Sequence, residues 1–471
     1  MPDFNAPYTL LIDGRPVDTA AQLEVVNPAT GQVFAHCPMA GAAELDAAVA
    51  AARRAFPAWK ALSFAERAAY VARLAAALQE HTEPLARLLT QEQGKPLGQS
   101  RDEIARGATL SVGMTKIELR SDVIVDTAER YVELRYLPLG VAGIITPWNA
   151  PVNLAIGPLT SALYTGNCAI LKPSPFTPLT TLRIGELMRD IFPAGVVQVL
   201  AGGDELGALL TAHPGVDKIA FTGSVATGKK VMASCAGTLK RVTLELGGND
   251  AAIVLEDVDV ADVARKLFFA ATVNSGQVCM AVKRIYAHEK IHDALCAALT
   301  AEAKQARLGD GLDPATTLGP IQNRRQFERV CELKADAARH GHFEEGQPRP
   351  AGAGYFVTPT VVTGLSESDR LVAEEQFGPV FPVLKFTDVD DAIRRANDTR
   401  FGLAGSVWSK DLARAQHIAA QLEVGTAWVN QHRNTMAIVP FGGAKESGIG
   451  RTYSRLGLEA YMEPQVISVL K

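Results

Sequence analysis

The spacing of apolar positions changes character near residue 140. Before it, the Ala-rich stretch 41–81 repeats apolar residues at helical spacing. Within that stretch Ser63 and Glu66 stand at the interval of a capping box, which predicts that a second helix begins there. After Gly140, short apolar runs at 141–146, 169–172, 196–200, 218–221 and 242–245 alternate with segments long enough for crossover helices. Thr177-Pro178 predicts the start of one of them, with a Thr cap ahead of Pro at the first helical position. The pattern is a parallel βαβ series and predicts a doubly wound sheet. From about 248 a second alternation follows, with runs at 251–255, 284–288, 356–362, 380–386 and 406–409 between Ala-rich helices. It predicts a second α/β domain. The Gly-, Pro- and Arg-rich stretch 346–354 reads as a surface loop.

Composition narrows the class. A chain of 471 residues exceeds one compact core, so two or three domains are expected. Hydrophobic residues at 47% and charged residues at 21% exclude a disordered chain. The net charge of -4, with both signs interspersed, gives no electrostatic footprint for nucleic acid and no polybasic membrane patch. The N-terminus shows no signal-peptide pattern, and no apolar run reaches transmembrane length. Six scattered cysteines form no Cys-x-x-Cys pair, which argues for reduced thiols in a cytoplasm and against disulfides or a metal site.

Three segments carry candidate chemistry. Cys279, in Gly276-Gln277-Val278-Cys279, is a candidate nucleophile. Glu245 ends an apolar strand and precedes Leu246-Gly247-Gly248, where backbone can approach a carboxylate closely; it reads as a general base or as a solvated strand end. The turn Thr146-Pro147-Trp148-Asn149-Ala150 follows Ile145 at the carboxyl end of a parallel strand, where ligands of open α/β sheets bind. Phe221-Thr222-Gly223-Ser224 follows another such strand and opens a helix, a site for pyrophosphate. No Gly-x-Gly-x-x-Gly fingerprint occurs at these turns.

Together these segments resemble the aldehyde dehydrogenase superfamily. The likeness runs from about Asn27 to Ile467. It rests on Pro147-Trp148-Asn149, Lys172-Pro173-Ser174, Phe221-Thr222-Gly223-Ser224, Glu245-Leu246-Gly247-Gly248, Gly276-Gln277-Val278-Cys279, Glu375-Gln376-Phe377-Gly378-Pro379 and Pro440-Phe441-Gly442-Gly443, which occur in the family's order. The resemblance implies an α/β fold with a Rossmann-like parallel-sheet cofactor domain over 1–120 and 139–247. A second α/β catalytic domain would cover 248–445, and a small β oligomerisation flap 121–138 and 446–471. It implies oxidation of a small-molecule aldehyde to an acid with NAD or NADP, in a homodimer or homotetramer. Cys279 would be the nucleophile, Asn149 the side-chain half of the oxyanion site and Glu245 the base for the hydrolytic water. Trp148, Gly203, Gly207 and Ser224 would bind pyrophosphate, with Leu246 and Gly247 alongside. Lys172, Ser174 and Pro175 would meet the adenosine ribose, and Glu375 and Phe377 the nicotinamide end. Ala150, Leu154, Gly157, Val278, Met280, His432, Arg433 and Phe441 would line the substrate tunnel.

The chain departs from the family pattern at three places. Pro175 replaces a Glu that accepts from the adenosine ribose diol, which predicts relaxed choice between NAD and NADP. Gly157-Pro158 replaces a Trp-Lys pair, and Ala150 a frequent aromatic. Those two losses predict a wide tunnel suited to bulky aromatic or long-chain aldehydes. Arg433 allows an alternative, pairing with the carboxylate of a semialdehyde, or it is a solvated loop charge. Coenzyme A acylation and a non-catalytic homologue are rival readings; retention of Glu245, Cys279 and Asn149 argues against both.

Overall fold

The structure, a computed structural model, describes Phe4 and residues 6–471. Its first sheet runs in the spatial order Arg15–Val17, Leu10–Ile12, Val197–Val199, Cys168–Lys172, Val141–Ile145, Lys218–Thr222, Arg241–Glu245 and Gly448–Ile449. The five strands from Val197–Val199 to Arg241–Glu245 are parallel. Most of their residues are buried, which is why they read as continuous apolar runs instead of an alternation. From Val141–Ile145 the chain builds outward on one side, then returns to place Lys218–Thr222 on the other. A reversal of this kind opens a crevice at the carboxyl ends of the two central strands.

The second sheet runs His342–Glu345, Thr360–Thr363, Val380–Phe386, Val282–His288, Asp250–Val254, Ala404–Trp408 and Thr426–Val429. All but the first of these are parallel. A third, antiparallel sheet joins Asp122–Asp126, Arg130–Pro138 and Met462–Leu470. The fold is therefore α/β, with two parallel-sheet layers and a small β flap. Separate apolar cores fill the first sheet and the two faces of the second. A smaller cluster of Leu403, Ala404, Trp428 and Phe441 packs against Cys279, Met280 and Tyr453. Among the described residues no helix is long and apolar enough to cross a membrane.

Several sequence expectations shift. Ser63 does cap the Phe64–Glu80 helix, and its reciprocal bond with Glu66 is formed. Thr177 does not cap the Leu179–Ile191 helix. The carboxylate of Glu92 accepts from the Leu179 and Thr180 amides instead, at 2.8 and 2.9 Å. The strand expected over 356–362 is confined to Thr360–Thr363, the part that pairs with its neighbours. The segment 446–471 is not all flap: Gly448–Ile449 pairs with Arg241–Glu245 in the first sheet, and only Met462–Leu470 joins the third.

Candidate active site

The Cys279 loop follows the Val260–Thr272 helix and is bent by an unusual backbone. Asn274, Ser275 and Gly276 all take left-handed conformations, with φ of 51, 55 and 76°. Asn tolerates this region, and at Gly276 a Cβ would lie 2.3 Å from the Gly378 carbonyl oxygen. Gln277 pins the bend. Its Nε2 donates to the Asn274 carbonyl at 2.8 Å, and its Oε1 accepts from the Gln322 amide at 2.8 Å. Below Cys279, the buried Lys283 ammonium donates to the Val278 and Cys279 carbonyls at 2.8 and 2.9 Å.

Asn149 is tied to the same loop. Its Nδ2 donates to the Gln277 carbonyl at 2.9 Å, which leaves the second N–H of that amide without an acceptor among the described residues. Its own carbonyl accepts from Lys95 Nζ and Asn274 Nδ2, both at 2.8 Å. Lys95 is in turn paired with Glu103 at 2.5 Å, and both side chains are about 95% buried. Glu103 also accepts from the Val152 and Asn153 amides, where the Asn153–Tyr164 helix begins. The Cys279 amide takes no partner among the described residues. Two N–H donors at the Cys279 loop are therefore left without a partner among the described residues.

Burial dominates the electrostatics. It pushes the Cys279 thiol up to about 12, against the opposing pull of Lys283. Glu245, at the end of Arg241–Glu245, is 8% exposed, and neither carboxylate oxygen has a partner among the described residues. Burial raises its pKa well above the usual carboxylate range, with Arg451 opposing. Gly442, at φ 156°, leaves the room this carboxylate occupies, since a Cβ there would sit 2.9 Å from Oε1. Glu245 and Cys279 are close enough for the carboxylate to raise the thiol's pKa. Glu375 lies opposite Lys283 at 3.8 Å and accepts from the Gly248 amide at 3.1 Å. A Cβ on Gly247 would meet its Oε2 at 2.2 Å, so only glycine lets that carboxylate lie there.

The crevice of the first sheet receives most of the remaining sequence candidates. Ile145 ends the Val141–Ile145 strand, and the amide of Thr146 after it donates to the Lys172 carbonyl at 3.1 Å. After Pro147, the Trp148 ring meets Phe377 edge-on at 5.4 Å. Lys172 and Ser174 are buried on the adjoining strand and turn, with Pro175 following. Burial lowers Lys172 to about 8, with Asp204 opposing. Gly207 borders it, and a Cβ there would lie 3.7 Å from Lys172 Cε. Phe221, Thr222 and Gly223 lead to Ser224, whose hydroxyl accepts from Thr227 and caps the Val225–Ala236 helix. Leu246 packs where Gly228 lacks a side chain.

On the other side of Cys279 lie Val278, Met280, Ala150, Leu154 and Phe441, all except Phe441 partly exposed. His432 is not at an open mouth. Its ring is sealed, with Nδ1 2.9 Å from Ser406 Oγ and Nε2 3.1 Å from the Met280 carbonyl. Arg433 holds φ 67° and lies over the Phe269 ring at 5.7 Å. At Gly157 the expected space is already taken: a Cβ would meet the Tyr453 ring at 3.4 Å.

Residues 16–467 match the family described as "Aldehyde dehydrogenase family". The chain belongs to the aldehyde dehydrogenase family. It is 38% identical to the 3-sulfolactaldehyde dehydrogenase of Pseudomonas putida over 96% of this chain and 95% of that one. It superposes on a solved NADP-dependent enzyme of E. coli with a TM-score of 0.96, at 34% identity and over 99% and 98% of the two chains. A betaine aldehyde dehydrogenase from Staphylococcus aureus, solved with NAD+, gives a TM-score of 0.95 at 33% identity, over 98% and 95%. This aldehyde dehydrogenase is thus an oxidoreductase that uses NAD or NADP.

The crevice fits such a dinucleotide. Gly203 stands at a helix start where an added Cβ would meet nothing within 4 Å, so backbone is open to a phosphate group. Sequence reasoning missed Lys95, Glu103, Lys283 and Tyr453. Glu103 had a visible signal: a carboxylate on the inward face of the Leu97–Met114 helix, beside Ile104 and Gly107. Tyr453 had none, because its φ of 58° is invisible in a residue type that rarely adopts it.

Proposed function

We propose that this aldehyde dehydrogenase is of the hydrolytic type. The Cys279 thiol gives up its proton to solvent as its sulfur adds to the aldehyde carbon, and the free N–H of Asn149 with the Cys279 amide holds the oxyanion. When bound, NAD(P)+ supplies the hydride acceptor. Glu245 then deprotonates the water that attacks the thioester on Cys279 and releases the acid. The observation that carries this reading is the Glu245 carboxylate, buried with both oxygens unpartnered yet electrostatically coupled to Cys279. A raised pKa suits a base operating near neutral pH better than an ordinary carboxylate does. Of the two positions that predicted a wide apolar tunnel, Gly157 lends it no support, because the Tyr453 ring lies against it, and the expectation rests on Ala150.

A single experiment tests the mechanism. Rapid mixing of enzyme, cofactor and aldehyde, with and without coenzyme A, should give no reduced cofactor with Cys279→Ala. Glu245→Gln should give a burst near one equivalent and then a slow steady state. Turnover by Cys279→Ala, or equal loss of burst and steady state in Glu245→Gln, overturns it. We also propose that the flap mediates homo-oligomers, supported by the exposed Val123, Ile124, Val466, Val469 and Leu470 on its strands. Sedimentation of the native enzyme as a monomer refutes that.

A further inference from the structure

Gln322, just ahead of the Arg324–Ala337 helix, is 2% exposed, and its hydrogen bonds reach three distant stretches of the chain. Its side-chain nitrogen donates to the Glu92 and Phe176 carbonyls, both at 3.1 Å. Its side-chain oxygen accepts from Asn323 Nδ2 at 3.1 Å, and its backbone amide donates to Gln277 Oε1 at 2.8 Å. Asn323 also caps the helix, with its Oδ1 accepting from the Gln326 amide at 2.9 Å, so the Gln322 side chain is anchored on a regular element. Two carbonyl oxygens from separate elements thus converge on one nitrogen. An apolar residue here would remove the donor that both share.

The partners belong to two ends of the site. Phe176 follows Ser174 and Pro175 in the turn expected to meet the adenosine ribose, and its amide donates to Ser174 Oγ at 3.3 Å. Glu92 holds what comes next, since its carboxylate accepts from the Leu179 and Thr180 amides. Gln277, fully buried, belongs to the Cys279 loop. Its Nε2 donates to the Asn274 carbonyl, and its own carbonyl accepts from Asn149 Nδ2. A second tie runs alongside: Ser275 Oγ donates to the Gly319 carbonyl at 2.7 Å, and Gln277 Nε2 to the Pro320 carbonyl at 3.3 Å. Residues 319–322 therefore form a brace with the nucleophile loop on one side and the cofactor turn on the other. The Gln322 side chain is its bond to the turn.

We propose that Gln322 is a positioning residue for the reaction. It fixes the Phe176 turn relative to the Cys279 loop, so that a cofactor seated in the turn meets the adduct on Cys279 in reacting geometry. Gln322 itself touches neither the thiol nor the oxyanion donors. This rests on the reading above, in which Cys279 is the nucleophile, and adds a residue that sets the distance between its two halves.

The test reads the two ends separately in the full-length enzyme. The cofactor end is the Kd of NAD+ and of NADP+, from quenching of protein fluorescence with no aldehyde present. The chemical end is the single-turnover rate of cofactor reduction at saturating cofactor, with whichever of acetaldehyde, hexanal and benzaldehyde the parent oxidises fastest. Gln322→Met should raise Kd about 5-fold, the scale of one neutral hydrogen bond. It should also slow the single turnover roughly 10-fold, through misplacement of groups it does not touch. Gln322→Lys, which keeps a donor between the two carbonyls, should recover part of both. Each constant is taken well below the melting transition of its variant, so lower stability alone moves neither. If Gln322→Met does not fold, Gln322→Asn, too short to reach both carbonyls, carries the same two expectations. A change in Kd alone, in the rate alone or in neither overturns the proposal. So does a Gln322→Lys no better than Gln322→Met. Cofactor reduction by Cys279→Ala would instead sink the reading on which this rests.

Discussion

Lys95→Met removes the ammonium that joins Glu103 to the Asn149 carbonyl. Both members of the pair are about 95% buried, so the variant leaves a carboxylate in the interior with only the Val152 and Asn153 amides. Breaking one side of a buried pair costs about 3–5 kcal/mol. At a urea dependence of about 3 kcal/mol per M, the unfolding midpoint should fall by roughly 1 to 1.7 M. The rate should fall as well. Losing an oxyanion donor outright costs about 100- to 1000-fold. Here Asn149 keeps its bonds to Asn274 and Gln277, so kcat/KM should drop by only about 10-fold, and at most about 100-fold. The double variant Lys95→Met/Glu103→Leu separates the two effects. It should regain most of the urea midpoint, because an apolar pair replaces a broken ionic one, yet stay slow, because the Asn149 carbonyl still lacks its donor. A Lys95→Met midpoint equal to the parent's refutes the energetic argument. Recovery of rate together with stability in the double variant refutes the positional one.

Two further outcomes follow from the buried titratable groups. Burial raises Glu245 well above its unfolded value of about 4.3, so its contribution to stability is full below that value and is lost as pH climbs through the folded one. Glu245→Gln never ionises; calorimetry should show its melting temperature gaining on the parent between pH 5 and pH 9, and a constant difference would refute the buried-carboxylate reading. Lys172, lowered to about 8, is largely charged at pH 7 and largely neutral at pH 9. The ratio of kcat/KM for NADP over NAD should therefore fall across that interval, and Lys172→Met should lower and flatten it. An NADP efficiency below about one-thousandth of that for NAD, near 4 kcal/mol, would instead show that Pro175 does not relax cofactor choice.

The central strands were legible because both faces are buried, so their apolar runs carry no competing periodicity. The capping box at Ser63 was legible because it is local. The cap at Leu179 was not, since its acceptor comes from Glu92 on another helix. The site divides in the same way. Cys279, Glu245 and Asn149 stand in short contiguous motifs, and the structure brings them around one loop. What supports them is distant in the chain: Lys95 reaches Asn149, and His432 reaches Met280. Gly157 misled for the same reason. An absent side chain shows a space at its own position but not that Tyr453, far along the chain, fills it.

The short strand Gly448–Ile449 pairs beside Arg241–Glu245, with Gly448 opposite Glu245 itself, and Ser447 bonds the backbone of Leu246 and Gly247. The edge that seats the base is therefore supplied by residues translated some two hundred positions later, after the whole second sheet. A nascent chain can assemble the neighbouring central strands well before then, but not this margin. A chain ending between Glu245 and Gly448 would hold the central strands of the first sheet but lack the strand that lies beside Glu245. The margin beside Glu245 is thus among the last parts of the chain to be made, and the hydrolytic step proposed for Glu245 would wait on it.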